Sequence, residues 1–126
     1  MKSFLTFLLL AALSLLAVHE MDAMTHSEWL LLPFLGEFTE ATGRDLFLLS
    51  HIPLYIGLFW ALFYASWRGI AALIFCGLLI IHSAAHFLLS GHQHYTFIPP
   101  IETITVYGSA VVSAFYIILR LTAKRT

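Results

Sequence analysis

Four long, predominantly apolar runs dominate this chain, each near the ~20 residues that an α-helix needs to cross the hydrocarbon core of a bilayer. They extend from about Phe4 to Ala23, Leu46 to Trp67, Ile70 to Leu89 and Ile101 to Leu121. The runs are continuous rather than alternating, so they read as helices and not as barrel strands. The expected fold is all-α: a four-helix transmembrane bundle in which residues 1–126 form a single integral membrane domain, with a short interfacial helix in the first outer loop. With 60% of residues hydrophobic and 10% charged, too few charges remain to coat a soluble domain of this length. A formal net charge of −1 and the lack of a basic stripe exclude a nucleic-acid partner. Cys76 is the only cysteine, so no internal disulfide can form, and its apolar setting reads as that of a small core residue.

Positive charge gives the orientation. Lys2 precedes the first run, Arg68 sits in the tight connection after the second, and Arg120, Lys124 and Arg125 close the fourth. The alternate loops are poor in basic residues: the segment from Glu20 to Asp45 holds six acidic residues against Arg44, and Ser90 to Pro100 holds no Lys or Arg. Basic loops stay on the cytoplasmic side, so both termini are expected there, in a cytoplasmic (inner) membrane crossed four times. Met1-Lys2 before an apolar run also resembles a secretory signal peptide, but no good small-x-small cleavage site follows; Met21-Asp22-Ala23 is the nearest. Retention of the first helix is expected.

In the first outer loop, Thr25-His26-Ser27-Glu28 fits a capping box, in which Thr25 and Glu28 would satisfy exposed backbone donors. The following Trp29-Leu30-Leu31-Leu32-Pro33-Phe34-Leu35 is too short to span and fits an interfacial helix with Trp29 at headgroup level, ended by Gly36.

The chain carries seven histidines, at 19, 26, 51, 82, 86, 92 and 94, and all fall in the outer half under this orientation. From the cytoplasmic ends, a rise of ~1.5 Å per residue lifts His19 by ~22 Å, His51 and His86 by ~24 Å and Glu102 by ~27 Å. Four helices thus each bring an ionisable group to almost one level. His82, Ser83, His86 and Ser90 form one polar stripe on an apolar helix, and such a stripe faces the bundle interior because polar groups against lipid are expensive. The i,i+4 spacing of His82 and His86 lets two imidazoles reach one ion. His19 and Asp22 share a face at i,i+3, where Asp22 would ligate or orient the ring. Pro53 leaves the carbonyl of Leu49 without its helical donor beside His51, so a bend is expected there. Glu102 follows Pro99-Pro100 in the first turn of the last helix, where the helix dipole alone also favours a carboxylate. His92 and His94 read as exposed, His26 as exposed or interfacial, and Glu20, Glu37 and Glu40 as solvated. Trp67, Tyr95 and Phe97 read as interface anchors.

Imidazole with carboxylate suits zinc or iron. The expected metal ligands are His19, His51, His82 and His86, with Asp22 and Glu102 as carboxylate ligands or bases. Function is therefore expected to rest on a histidine/carboxylate metal site at the outer membrane face, on a lipid or apolar substrate if it is an enzyme. The alternative is a haem b held between His51 and His82 or His86, in an electron-transfer or accessory subunit of a membrane complex. The bilayer is the expected partner, with a complex subunit or a second copy of the chain beside it.

At His19-Glu20-Met21-Asp22-Ala23, Glu28-Trp29 and His51-Ile52-Pro53-Leu54 the chain resembles small uncharacterised bacterial four-helix membrane proteins with an N-terminal His-x-x-Asp/Glu motif and further histidines in later helices. Some such families double the acidic end of the motif, where this chain has Ala23. The resemblance implies a bacterial inner-membrane location and no particular reaction.

Overall fold

A computed structural model describes residues 2–123; Met1 and the basic residues Lys124 and Arg125 of the charge pattern lie outside the described residues. Four long helices carry the chain: α1 Lys2–Thr25, α2 Glu40–Phe59, α3 Arg68–Leu89 and α4 Gly108–Thr122. Wider π-turns prolong α2 at its end (Trp60–Tyr64) and open α4 (Thr103–Tyr107). No strand occurs among the described residues. All four helices are long and apolar enough to cross a membrane, as expected of a multi-pass membrane protein.

The helices are not equal partners. α4 packs along both α1 and α3, while α2 meets mainly the loop that precedes it and the π-turn that follows. Close approach of α1, α3 and α4 is possible because their contact faces carry small residues: Ala12, Cys76, Ser109 and Ser113 are all but inaccessible. The apolar residues around them, from Leu5 and Leu9 through Phe75 and Leu79 to Tyr116, make one cluster. A second cluster forms at the other end from Ala23, Trp29, Phe47 and Phe97. Outward-facing residues such as Phe7, Ile56, Leu78, Phe87 and Ile118 remain exposed, which suits helices whose solvent is lipid.

The loop between α1 and α2 differs from its sequence reading. It forms two 3-10 turns, Glu28–Leu31 and Leu35–Glu37, and the capping box does not assemble: Thr25 ends α1, and Ser27 adopts a left-handed conformation without a side-chain cap. Glu28 and Trp29 turn inward instead, because together they find polar and aromatic partners there. Trp29 packs on Phe47, with ring centres 6.1 Å apart. Gly43 permits that approach: a Cβ at this position would stand 2.9 Å from the Leu35 carbonyl oxygen and 3.0 Å from Trp29 Cδ1. α2 continues as a helix through Pro53.

The π-turn of α4 has a local chemical consequence. The Val106 carbonyl accepts hydrogen bonds from Ser83 Oγ and from Ser109 Oγ, both at 2.7 Å. Ser83 thereby ties α3 to α4 between His82 and His86.

Candidate metal centre

Between the two apolar clusters lies a polar layer. α1 supplies His19, seven residues beyond Ala12 and four before Ala23, and α3 supplies His82 and His86 beyond Leu79. The first 3-10 turn lowers Glu28 onto them. One ligand atom from each of His19, Glu28, His82 and His86 lies within 4.8 Å of all the others. Three of the four are hidden, His19 at 1% exposed, His86 at 3% and Glu28 at 8%, while His82 is half-buried.

Individual contacts are closer. His19 Nε2 and His82 Nε2 stand 3.0 Å apart. Glu28 Oε2 lies 3.3 Å from His19 Nε2, and Glu28 Oε1 lies 3.6 Å from His86 Nε2. Donors bound at ~2.0–2.1 Å to a tetrahedral ion stand ~3.3 Å from one another, so these separations straddle the edge of such a shell. Phe97 covers the rings, stacked on His19 and edge-to-face with His86.

His86 is held by its other nitrogen. Its Nδ1 lies 2.9 Å from the Tyr95 hydroxyl, which in turn donates to Glu102 Oε1. A hydroxyl that donates to the carboxylate is left to accept, so His86 Nδ1 carries the proton and Nε2 presents a lone pair to the cluster. The consequence is an excess of acceptors: the lone pair of His86, two carboxylate oxygens of Glu28, and at most one proton between the facing Nε2 atoms of His19 and His82 when both rings are neutral. Positive charge must come from protonated imidazole or from a metal ion. Burial by itself pushes the Glu28 carboxyl up, but hydrogen bonding from the His19 ring, with the charge of His19 and His82, outweighs it and holds Glu28 well below the usual carboxylate range.

The remaining residues singled out by sequence fall into separate pairs. His51 Nδ1 donates to the Phe47 carbonyl at 2.6 Å, and its Nε2 lies 2.9 Å from Glu20 Oε2. This contact ties α2 to α1, so Glu20 is half-buried and paired where a solvated surface residue was expected. Asp22 lies 3.5 Å from His26 Nε2, and His26 is joined to Thr96 of the later loop. Glu102 reaches His86 on the Nδ1 side, at 3.6 Å, behind the ring rather than in the converging group. His92 and His94 are exposed, as expected.

Two residues of the site escaped the sequence reading. The sequence pattern places Glu28 in a helix cap; the signal for its true role is an acid directly before a Trp-Leu-Leu-Leu run, where the charge needs a partner as the apolar neighbours bury themselves. The sequence pattern places Tyr95 at the membrane interface, and only its spacing of seven residues from Glu102 across a proline pair hints at the contact.

Residues 5–123 match the family described as "Family of unknown function (DUF6713)", and the chain belongs to that family. No curated protein and no solved structure matches it.

Proposed function

We propose that this chain is an integral membrane metalloprotein that binds one divalent transition metal, zinc or iron, through His19, His82, His86 and Glu28. The observation that carries this reading is the convergence of lone pairs in a buried layer, with the His86 tautomer set by Tyr95 and Glu102. Three imidazoles and a carboxylate suit zinc and ferrous iron alike. Tyr95 and Glu102 then act as the outer partners that orient a ligating ring, an arrangement usual at histidine-metal sites. The His51–Glu20 and Asp22–His26 pairs flank the centre.

Charge distribution supports an arrangement in which both termini face the cytoplasm of a bacterial cell and the metal lies toward the outer face of the inner membrane, with the two 3-10 turns at the headgroup level. If the centre is catalytic, its substrate is a lipid or another apolar molecule. A haem held by two of these histidines fits the geometry less well. His51, the expected axial partner of His82 or His86, has both ring nitrogens engaged, Nδ1 with the Phe47 carbonyl and Nε2 with Glu20.

Elemental analysis of detergent-purified protein tests the reading. Wild type should hold close to one equivalent of zinc or iron, before or after reconstitution, and His86→Ala should lose most of it while keeping its helical content. Stoichiometry near zero in the wild type after reconstitution with both metals would overturn it.

A further inference from the structure

At the opposite end of the helices, a cavity of about 750 Å³ opens among the start of α1, the α2–α3 connection and the end of α4. Arg68 and Arg120 line it together with Leu62, Phe63, Trp67 and Ile70. All seven acidic residues of the chain lie in 20–45 or at 102, so none is available here. Among the described residues neither arginine has a carboxylate within ion-pair distance. Arg120 Nε is buried, with no hydrogen-bond partner among the described residues. Gly69 makes room for the guanidinium: a Cβ there would stand 3.0 Å from Arg120 Nη2. A guanidinium without a carboxylate near the end of a membrane helix is expensive, and the fork geometry of arginine matches phosphate. Beside it, Phe63, Trp67 and Ile70 are 40%, 44% and 57% exposed, an apolar wall continuous with the lipid-facing surface.

We infer that this cavity is a binding site for a phosphate-bearing amphiphile, the phosphate held by Arg68 and Arg120 and the chain laid against Phe63, Trp67 and Ile70. The volume lies within the ~300–1,000 Å³ usual for ligand sites, enough for a headgroup and the first part of its chains. The site is remote from the histidine layer and does not depend on the metal reading. Its ligand is a glycerophospholipid of the surrounding membrane or a soluble phosphate compound, and the test separates these sources.

The full chain in detergent is titrated with short-chain phosphatidylglycerol, with diacylglycerol of the same chains, and with inorganic phosphate, and binding is read by native mass spectrometry. One phosphatidylglycerol should bind saturably, ~10–100-fold tighter than diacylglycerol, as expected for charge-assisted hydrogen bonds to one phosphate. Arg120→Gln should remove about tenfold or more of that affinity, and Arg120→Lys, which keeps the charge without the fork, should fall between. Arg68→Gln, at the exposed start of α3, carries the test should the Arg120 variant not fold, and should cost severalfold with unchanged circular dichroism. Equal binding of diacylglycerol, or arginine variants that fold and bind like wild type, would overturn the site. Displacement of the lipid by an equimolar amount of inorganic phosphate would overturn the amphiphile and leave a soluble anion as the ligand.

Discussion

Replacing Glu28 by Gln separates a metal centre from a purely structural histidine cluster. Gln keeps the shape and one carbonyl oxygen but removes the only negative charge among the converging atoms, which stand 3.3 and 3.6 Å from two imidazoles. Loss of a group that merely orients a ligand costs ~10–100-fold in metal affinity, so loss of the anionic ligand itself should cost at least ~100-fold. Ligand binding stabilises the folded state by RT ln(1 + [L]/Kd). At a free zinc concentration of ~100 Kd, wild type gains ~2.7 kcal/mol, and a variant bound ~100-fold more weakly gains only ~0.4 kcal/mol at the same concentration. Thermal unfolding of dialysed protein in detergent, with and without zinc, measures both gains, and competition with a chelator gives the affinities. A structural cluster predicts the reverse pattern: no zinc-dependent shift in wild type, and a stability loss in Glu28→Gln that is the same in either condition. That pattern, or a variant retaining wild-type affinity, would refute the coordination described here.

Metal affinity should fall as pH drops, because protons compete with the ion for the imidazole lone pairs. Glu28, held below the usual carboxylate range, remains ionised in mild acid and adds nothing to the acid limb; zinc titrations between about pH 5 and 8 check the sign. Tyr95→Phe removes the hydroxyl between His86 and Glu102 and should weaken metal binding ~10–100-fold without stripping the site, as chelator competition would show. His51→Ala should leave metal stoichiometry near wild type while loosening α2, seen as faster proteolysis or hydrogen exchange of residues 40–64, since its contact with Glu20 joins α2 to α1.

The four helices were legible because a membrane imposes a length and a hydrophobicity on every span, and both are local properties of the chain. His19, His82 and His86 were legible for a related reason: a polar residue within a span has few places to face, and helical rise fixes its level. Glu28 and Tyr95 obey no period. Each lies in a connection whose path depends on where the helices have already gone, so the capping pattern around Glu28 and the aromatic character of Tyr95 suggested local roles. His51 matched the others in level, but level says nothing about azimuth. α2 stands to one side of the helices that share α4, and its histidine meets Glu20 instead of the central layer.

The wide turn at Thr103–Tyr107 also sets a phase. In an unbroken α-helix, residues seven apart, such as Glu102 and Ser109, share a face to within ~20°. One surplus residue absorbed in a wider turn displaces that relation by about 100°, the rotation of a single residue. Glu102 is thereby dialled toward His86 and Tyr95, while Ser109 turns back to the Val106 carbonyl. Deleting one residue from 103–107 would leave the composition of α4 nearly unchanged and its apolar length sufficient, yet swing the carboxylate off the ring it backs. The azimuth of Glu102 is thus written in a residue count rather than in the identity of any one side chain.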